Sequence, residues 1–395
     1  MKVELLAPAG SFEKLKLALK FGADAVYLGG KSFSLRTFAD NFTDEELKEA
    51  ISYAHARGKK VYTAANIFAR NADFKALEAH LRLLEEVGAD GVLVSDMGVL
   101  RLAKRVAPRL PVHISTQANT LNAEAVKFYE EAGAVRVVLA REISLSEIAE
   151  IHAACPKMEL EAFVHGAMCI SYSGRCYLSD FLDGRPSNRG ACAQPCRYRY
   201  EIRVAGKDGW LPLEEDERGT YLLNSRDLNM SAHLKELTEA GVCSFKIEGR
   251  MKSESYLATV VNAYRRILDG GDPKPLAGEL ETVPHRAYTT AYAFGENHDT
   301  TTTTSSQVAG ACEFIAVALG YENGRARVEM RNRFYEGDAL EILTPSKEFG
   351  KTVQVLDLRD AEGNFCTDAK LVQGEYTFSC PYPLQEGDIL RRRVK

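Results

Sequence analysis

The sequence predicts an α/β chain: a (β/α)8 barrel of the TIM type, a cysteine-rich β insertion after the seventh strand, and a small C-terminal β-barrel. Three observations predict it. A short phrase recurs four times, strand-like and helix-like runs alternate over about 270 residues, and the pattern then changes to short alternating strands. A doubly wound open sheet is the alternative for the first part.

The recurring phrase runs from Phe21 to Gly29, Val87 to Ser95, Ala132 to Ala140 and Ala240 to Glu248. In each copy an amphipathic helix ends at a glycine, which can take the left-handed conformation past a helix end, and a short apolar strand begins at once. Val3 to Leu6, Lys60 to Ala65, Val112 to Thr116 and Glu159 to Val164 supply four more strands, making eight. Helical periodicity covers 11–20, 43–56, 73–86, 98–106, 123–131, 144–153, 231–239 and 253–268. The barrel therefore takes residues 1–270.

Chemistry in such a barrel sits where strands end. Those positions hold Pro8, Gly10, Gly29, Asn66, Asp96, Thr116, Gln117, Arg141, Glu142, His165, Lys246, Glu248 and Arg250. Any one of them is as readily a helix cap or a loop hydrogen bond as a catalyst; together they read as a polar mouth. Gly10 and Gly249 would let backbone approach a ligand closely.

The seventh connection, 165–230, is far longer than an ordinary loop. It contains Cys169, Cys176, Cys192 and Cys196, four of the nine cysteines within 28 positions. Runs at 198–204, 210–213 and 221–223 read as short strands of an insertion over the barrel mouth. From Gly271 to 307 the chain reads as a linker, with a hydroxyl-rich run at 300–306. Residues 308–395 alternate in short runs, with turns at Glu322-Asn-Gly324, Glu336-Gly-Asp338, Glu362-Gly-Asn364 and Glu386-Gly-Asp388, which predicts the β-barrel.

The N-terminus lacks a long apolar signal segment, and no run of roughly 18 apolar residues could cross a membrane. A cytoplasmic protein with reduced thiols and no membrane partner is expected. Clustered thiols in that setting suit metal binding or catalysis better than cross-links. Cys155, Cys243, Cys312, Cys366 and Cys380 are scattered among apolar residues and read as small core residues. Ligand gaps of six, fifteen and three residues lack the two-residue knuckle usual for structural zinc. Four thiolates remain compatible with an iron–sulfur cluster, with zinc or with no metal.

With a formal charge of −5, the whole chain is not an electrostatic nucleic-acid binder, so such contact must be local. Between Arg175 and Arg203 six arginines face Asp180, Asp183 and Glu201, an excess of three positive charges, and tyrosines interleave with them. Arg197, Tyr198 and Arg199 are the candidates for contact with RNA, because arginine pairs with phosphate and tyrosine stacks on unpaired bases. A solvated β-hairpin is the plainer reading. Arg391-Arg-Arg393 would either reinforce binding or keep the chain end soluble. No His-Glu-x-x-His or Gly-x-Ser-x-Gly motif supports a protease, although His165 beside Cys169 could be imagined as base and nucleophile.

One pattern is specific: Glu161-x-Phe163-x-x-Gly166-Ala-Met-Cys169-x-x-x-x-Gly174-x-Cys176-x-Leu178-Ser179. It resembles the signature of the collagenase-like peptidase family U32, as do Leu6-Ala-Pro-Ala-Gly10, Asn224-Ser-Arg-Asp-Leu228 and Lys246-Ile-Glu-Gly-Arg250. The resemblance implies an RNA-modifying hydroxylase, most like the prephenate-dependent branch that 5-hydroxylates the wobble uridine of tRNA. Hydroxylation of a ribosomal RNA cytidine and collagenase-like proteolysis are the alternatives it leaves, along with a non-enzymatic scaffold. It further implies a 4Fe-4S cluster on Cys169, Cys176, Cys192 and Cys196, prephenate as co-substrate and, as partners, tRNA or rRNA and a paralogous family subunit. Relatives use differing ligand sets, and Asn229 stands where one set has its fourth cysteine. A donor with two carboxylates would be gripped by Arg141, Lys246 and Arg250, with Gln117 beside them. Glu161, His165, Asp227 and Glu248 would orient these groups or move protons.

Overall fold

The structure, a computed structural model, describes residues 3–35, 41–172, 175–198, 215–216, 219–220, 225–295, 300 and 310–394. Two compact units emerge. One comprises Met1–Leu19, Ala23–Lys252 and His285–Val308; the other comprises Lys20–Gly22, Ser253–Pro284 and Ala309–Lys395.

In chain order the first unit holds β1 (Glu4–Pro8), β2 (Ala25–Gly29), β3 (Lys60–Ala64), β4 (Gly91–Val94), β5 (Val112–Ile114), β6 (Arg136–Val138) and β7 (Glu159–Ala167). A short antiparallel pair follows, β8 (Glu215–Asp216) and β9 (Gly219–Thr220), then β10 (Asp227–Asn229), β11 (Val242–Ile247) and β12 (Tyr288–Thr289). Strands β1 to β7 and β11 pair in parallel, and β11 joins both β1 and β7, which closes the sheet. That closure is the (β/α)8 architecture and excludes the open doubly wound sheet.

Helices α1 (Phe12–Lys20), α2 (Asp44–His55), α3 (Phe74–Glu86), α4 (Met97–Val106), α5 (Ala123–Glu131) and α6 (Leu145–Ala154) follow the first six strands. The insertion carries α7 (Leu178–Asp183), and α8 (Leu234–Glu239) precedes β11. Thr43 and Ser144 close capping boxes with Glu46 and Glu147 at the starts of α2 and α6. Each such cap is worth about 1 kcal/mol. All four recurring glycines are left-handed, with φ of 109° at Gly22, 78° at Gly88, 87° at Gly133 and 103° at Gly241. A side chain there would strain the turn from helix into strand.

Strand β7 runs three residues past the predicted Val164 because β10 pairs antiparallel with its end, Asp227 against Ala167 and Asn229 against His165. No local signal announces that pairing, which joins segments about 60 residues apart. The insertion strands predicted at 210–213 and 221–223 lie outside the described residues, as does 198–204 beyond Tyr198. Most of the 300–306 run does too.

The second unit begins with α9 (Glu254–Leu268) and α10 (Pro273–Leu280). The start of the predicted linker is thus helical: Asp272 accepts from the Lys274 N–H at 3.0 Å and Pro273 occupies the first turn, where its missing N–H costs nothing. Nine strands follow, β13 (Cys312–Glu322), β14 (Arg325–Met330), β15 (Phe334–Tyr335), β16 (Ala339–Leu343), β17 (Thr352–Gln354), β18 (Leu356–Arg359), β19 (Asp368–Ala369), β20 (Glu375–Ser379) and β21 (Ile389–Arg393). Seven make an antiparallel sheet in the order β17-β16-β21-β13-β14-β20-β18, packed on Ile315, Val328, Ile342, Phe378 and Leu390. Asn323 and Gly324, at φ of 50° and 78°, form the tight hairpin turn that their pairing in sequence predicts.

Arg391-Arg-Arg393 is engaged in ion pairs within the second unit. Arg391 is 1% exposed and pairs with Glu279 and Glu341; Arg392 pairs with Glu313 and Asp338, and Arg393 with Glu341. Three like charges in a row are tolerated in β21 because neighbouring strands and α10 supply carboxylates. Among the described residues no helix is long and apolar enough to cross a membrane.

Candidate active site at the mouth of the barrel

An ionic layer fills part of the barrel interior. Fully buried Glu161, on β7, accepts from Lys246 Nζ of β11 at 2.6 Å and from Arg136 Nη1 of β6 at 3.1 Å. Arg136 also grips Glu4 at 2.7 Å, and Glu4 accepts from the hydroxyls of Tyr62 at 2.7 Å and Ser244 at 2.9 Å. Burial pushes the Glu161 carboxyl up, but Lys246 and Arg136 outweigh it and hold it below the usual carboxylate range. On Arg136 burial opposes the charge, and Glu161 with Glu4 more than restores it. Nearby His113 is driven down to about 3, chiefly by burial, so it is neutral at pH 7.

Above this layer a cavity opens, lined by Asn66, Thr116, Gln117, Arg141, Lys246, Glu248 and Arg250 together with Tyr27 and Phe163. Seven of the strand-end residues singled out in the sequence therefore share one cavity. The Lys246 ammonium lies 4.4 Å from the Tyr27 ring centre, and Arg141 sits 5.1 Å from the Phe163 ring while donating to the Ala167 carbonyl at 3.0 Å. Tyr27 donates to the Ile247 carbonyl at 3.0 Å and to Glu248 at 3.3 Å; Arg250 donates to Asn41. Gln117 Oε1 is buried without a hydrogen-bond partner among the described residues, which leaves an acceptor at the cavity wall. Asp96, by contrast, is a helix cap, accepting the Val99 N–H of α4 at 3.0 Å.

The reading of Gly10 as a place for ligand approach gives way to a closer neighbour. A Cβ on Gly10 would lie 2.3 Å from the Arg250 carbonyl oxygen, so the glycine makes room for the Arg250 loop. Gly10→Ala is expected to displace Arg250 from the mouth and lower turnover on the order of 10²-fold, with a much smaller change in melting temperature. Equal losses of turnover and of folded protein would refute that positioning role.

His165 and Asp227 belong to a second group, where β7 meets β10 and β12. Asp227 pairs with Arg286 at 2.7 Å and also accepts the Arg286 backbone N–H at 3.1 Å. The His285 ring stacks on Tyr288 at 4.2 Å, and His165 lies 5.5 Å from the same tyrosine. Burial lowers His165 to about 3, against the pull of Asp227, so its imidazole is neutral at working pH. Arg286, His285 and Tyr288 were missed in the sequence, because they fall within the predicted linker and lie about 60 residues from Asp227.

The four insertion cysteines adjoin this second group. Cys169 follows β7, Cys176 precedes α7, and Cys192 and Cys196 flank the left-handed Gln194. All are free thiols. Gln194 N–H points at Cys192 Sγ at 3.3 Å, Ser179 Oγ accepts the Ala193 N–H at 2.9 Å, and Ser187 holds the Cys176 carbonyl at 2.8 Å. The Cys196 thiol is pushed up first by burial, then by Cys169, Cys192 and Cys176, which places the other three thiols near it. Around them Arg197 is depressed by burial and by Arg286, partly offset by Cys196, Asp227 and Cys169. Buried cations beside four thiols fit an anionic thiolate-bound centre, and the backbone N–H on sulfur supports the thiolate form. Among the described residues no three potential ligands already stand in a metal-binding arrangement, so a bound centre would require the side chains to draw together. Tyr198 is exposed at the rim, and Arg199 lies outside the described residues.

A closed (β/α)8 barrel with a polar, cation-bearing mouth, a four-thiol insertion beside it and an appended antiparallel module defines a barrel protein of the ligand-binding or enzymatic kind. The chain belongs to peptidase family U32: the family model matches residues 10–303, and the model of the family's C-terminal domain matches residues 311–391. It is 39% identical to tRNA hydroxylation protein P1 of Bacillus subtilis, over 92% of this chain and 88% of that protein. Against tRNA hydroxylation protein P of Escherichia coli it is 36% identical, over 90% and 89%. It is also 37% identical to the 23S rRNA 5-hydroxycytidine C2501 synthase of Escherichia coli, over 68% of this chain but only 39% of that protein.

Proposed function

We propose that this chain hydroxylates tRNA, acting at carbon 5 of the wobble uridine with a prephenate-like donor, and holds a 4Fe-4S cluster on Cys169, Cys176, Cys192 and Cys196. The observation that carries the reading is the gathering of four thiols with Arg197 and Arg286 past the end of β7, the strand whose Phe163 lines the polar mouth. Near end-to-end similarity to two tRNA hydroxylation proteins supports the choice of tRNA over rRNA, since the ribosomal relative matches over a smaller part of its length.

In this reading Arg141 and Arg250 hold the donor's carboxylates, and Gln117 offers its acceptor to a hydroxyl. Lys246 faces the same cavity from a neutralised pair with Glu161, so it can donate a hydrogen bond without adding net charge to the mouth. Glu248, oriented by Tyr27, is the proton acceptor nearest the cavity. His165, neutral and buried, positions the end of β7 from which the thiol loop departs. A bound cluster would supply one-electron transfer or hold the loop in shape.

The test is the nucleoside content of a strain lacking the gene. Hydroxylated wobble uridine should vanish, return with the wild-type gene and stay absent with Cys192→Ser. Protein purified without oxygen should carry about four iron and four sulfide per chain, lost in the same variant. Unchanged tRNA with a missing ribosomal hydroxycytidine would transfer the reading to rRNA. Peptide hydrolysis abolished by Cys169→Ala, with both RNAs unchanged, would replace it by proteolysis.

A further inference from the structure

Among the described residues sixteen large apolar side chains are exposed, and five of them, Tyr172, Tyr177, Phe181, Leu182 and Tyr198, fall within the thiol-bearing insertion. Such concentration marks a contact surface, whereas single exposed apolar residues need no explanation. Phe181 is 74% exposed and Tyr177 67%. They stand four residues apart across the first turn of α7, where the Phe181 N–H donates to the Tyr177 carbonyl at 3.0 Å, so both rings share one side of the helix. Tyr198 reaches the same helix through its hydroxyl on Asp183 at 3.3 Å.

Beside Tyr177 lies a cavity of about 190 Å³, lined by Phe68, Tyr177 and Cys176 together with Arg70, Arg189 and the carboxylate Asp180. Phe68 and Tyr177 are the two aromatic residues of its lining. Arg189 is held by Asp73 at 2.8 Å and is a fixed wall, while Arg175, exposed beside Cys176, makes no salt bridge among the described residues. Described arginines between 172 and 198 number four against two aspartates, a local charge of +2 in a chain of −5. Exposed aromatic rings, an adjoining cavity and an exposed guanidinium at Arg175 are what single-stranded RNA requires. A protein partner would favour a broader aliphatic surface, and here Leu182 is the one aliphatic member.

We propose that Tyr177 and Phe68 sandwich one unpaired base of the RNA substrate, that Phe181 stacks on the next, and that Arg70 and Arg175 pair with the phosphates. The proposal rests on the RNA-hydroxylase reading and places an RNA grip next to Cys176. It also shifts the contact from Arg197, whose guanidinium is half-buried toward the thiols, to α7.

Full-length protein prepared without oxygen is titrated with a short RNA hairpin bearing a uridine-containing loop, and with a duplex of equal length. Tyr177→Ala and Phe181→Ala should each weaken hairpin binding by roughly 5- to 100-fold and leave the weak duplex binding unchanged. Tyr177→Phe should retain wild-type affinity, since the ring is kept. Phe181 is a surface residue, so its variant guards against a folding failure at Tyr177; melting temperature and iron content should match wild type in both. Wild-type affinity in both alanine variants would overturn the platform. So would loss of a co-purifying protein with hairpin affinity intact, which would mark the face as a protein interface. Normal tRNA in the deletion strain would sink the hydroxylase reading itself, whereas normal hydroxylation and binding by Tyr177→Ala would sink only the platform.

Discussion

Glu161→Gln is expected to destabilise the barrel by about 3–5 kcal/mol, the cost of leaving one member of a buried ion pair unmatched. Lys246 is 3% exposed, and its carboxylate partner is Glu161 at 2.6 Å. Arg136 keeps Glu4 and Glu159, so the loss falls mainly on Lys246. The double variant Glu161→Leu with Lys246→Met should recover most of that stability, because burying two charges carries a desolvation cost that an apolar pair avoids. Hydroxylation should stay absent in the double variant, since Lys246 also faces the mouth cavity. Denaturant unfolding and tRNA nucleoside analysis on the same preparations separate the two roles. Recovery of both stability and activity would reduce Lys246 to a structural residue.

That pair also marks the limit of what the sequence disclosed. Lys246 and Glu248 were legible because β11 follows a repeated helix–glycine–strand phrase, and the position where a barrel strand ends is where chemistry collects. Glu161 was legible as part of a motif, but not as the centre of a layer with Arg136, Glu4 and Tyr62. Those residues come from four strands, and inward direction depends on barrel tilt and stagger, which no local pattern carries. The same holds for Asp227 and Arg286. Their pairing needs β12 to run parallel along β10, a tertiary event between segments about 60 residues apart that each look like loop. Cysteine spacing, in contrast, is local, and the loop that brings the four thiols together is held by short-range bonds from Ser179, Ser187 and Gln194.

Acid should unfold this protein earlier than carboxylate titration alone would, with stability falling from about pH 6.5 downward. His113 and His165 are both buried, and burial holds each at about 3 in the folded chain, against an ordinary value near 6.5. Between those two values the unfolded chain binds protons that the native chain refuses, so stability declines as pH drops. The slope is about 1.4 kcal/mol per histidine per pH unit, or about 4 kcal/mol for the pair by pH 5. Glu161 adds a separate loss at lower pH, because its carboxyl lies below the ordinary value when folded and its contribution is lost as pH falls through that depressed value. Urea unfolding at pH 7.5, 6 and 5 measures the decline, and His113→Leu should roughly halve its slope above pH 5 while removing a ring nitrogen that has no hydrogen-bond partner among the described residues. Equal stability at pH 7.5 and 5 would mean that the barrel opens enough to protonate both rings. In that case His165 would be available as a cation at the base of the thiol loop, and its role there would have to be redrawn.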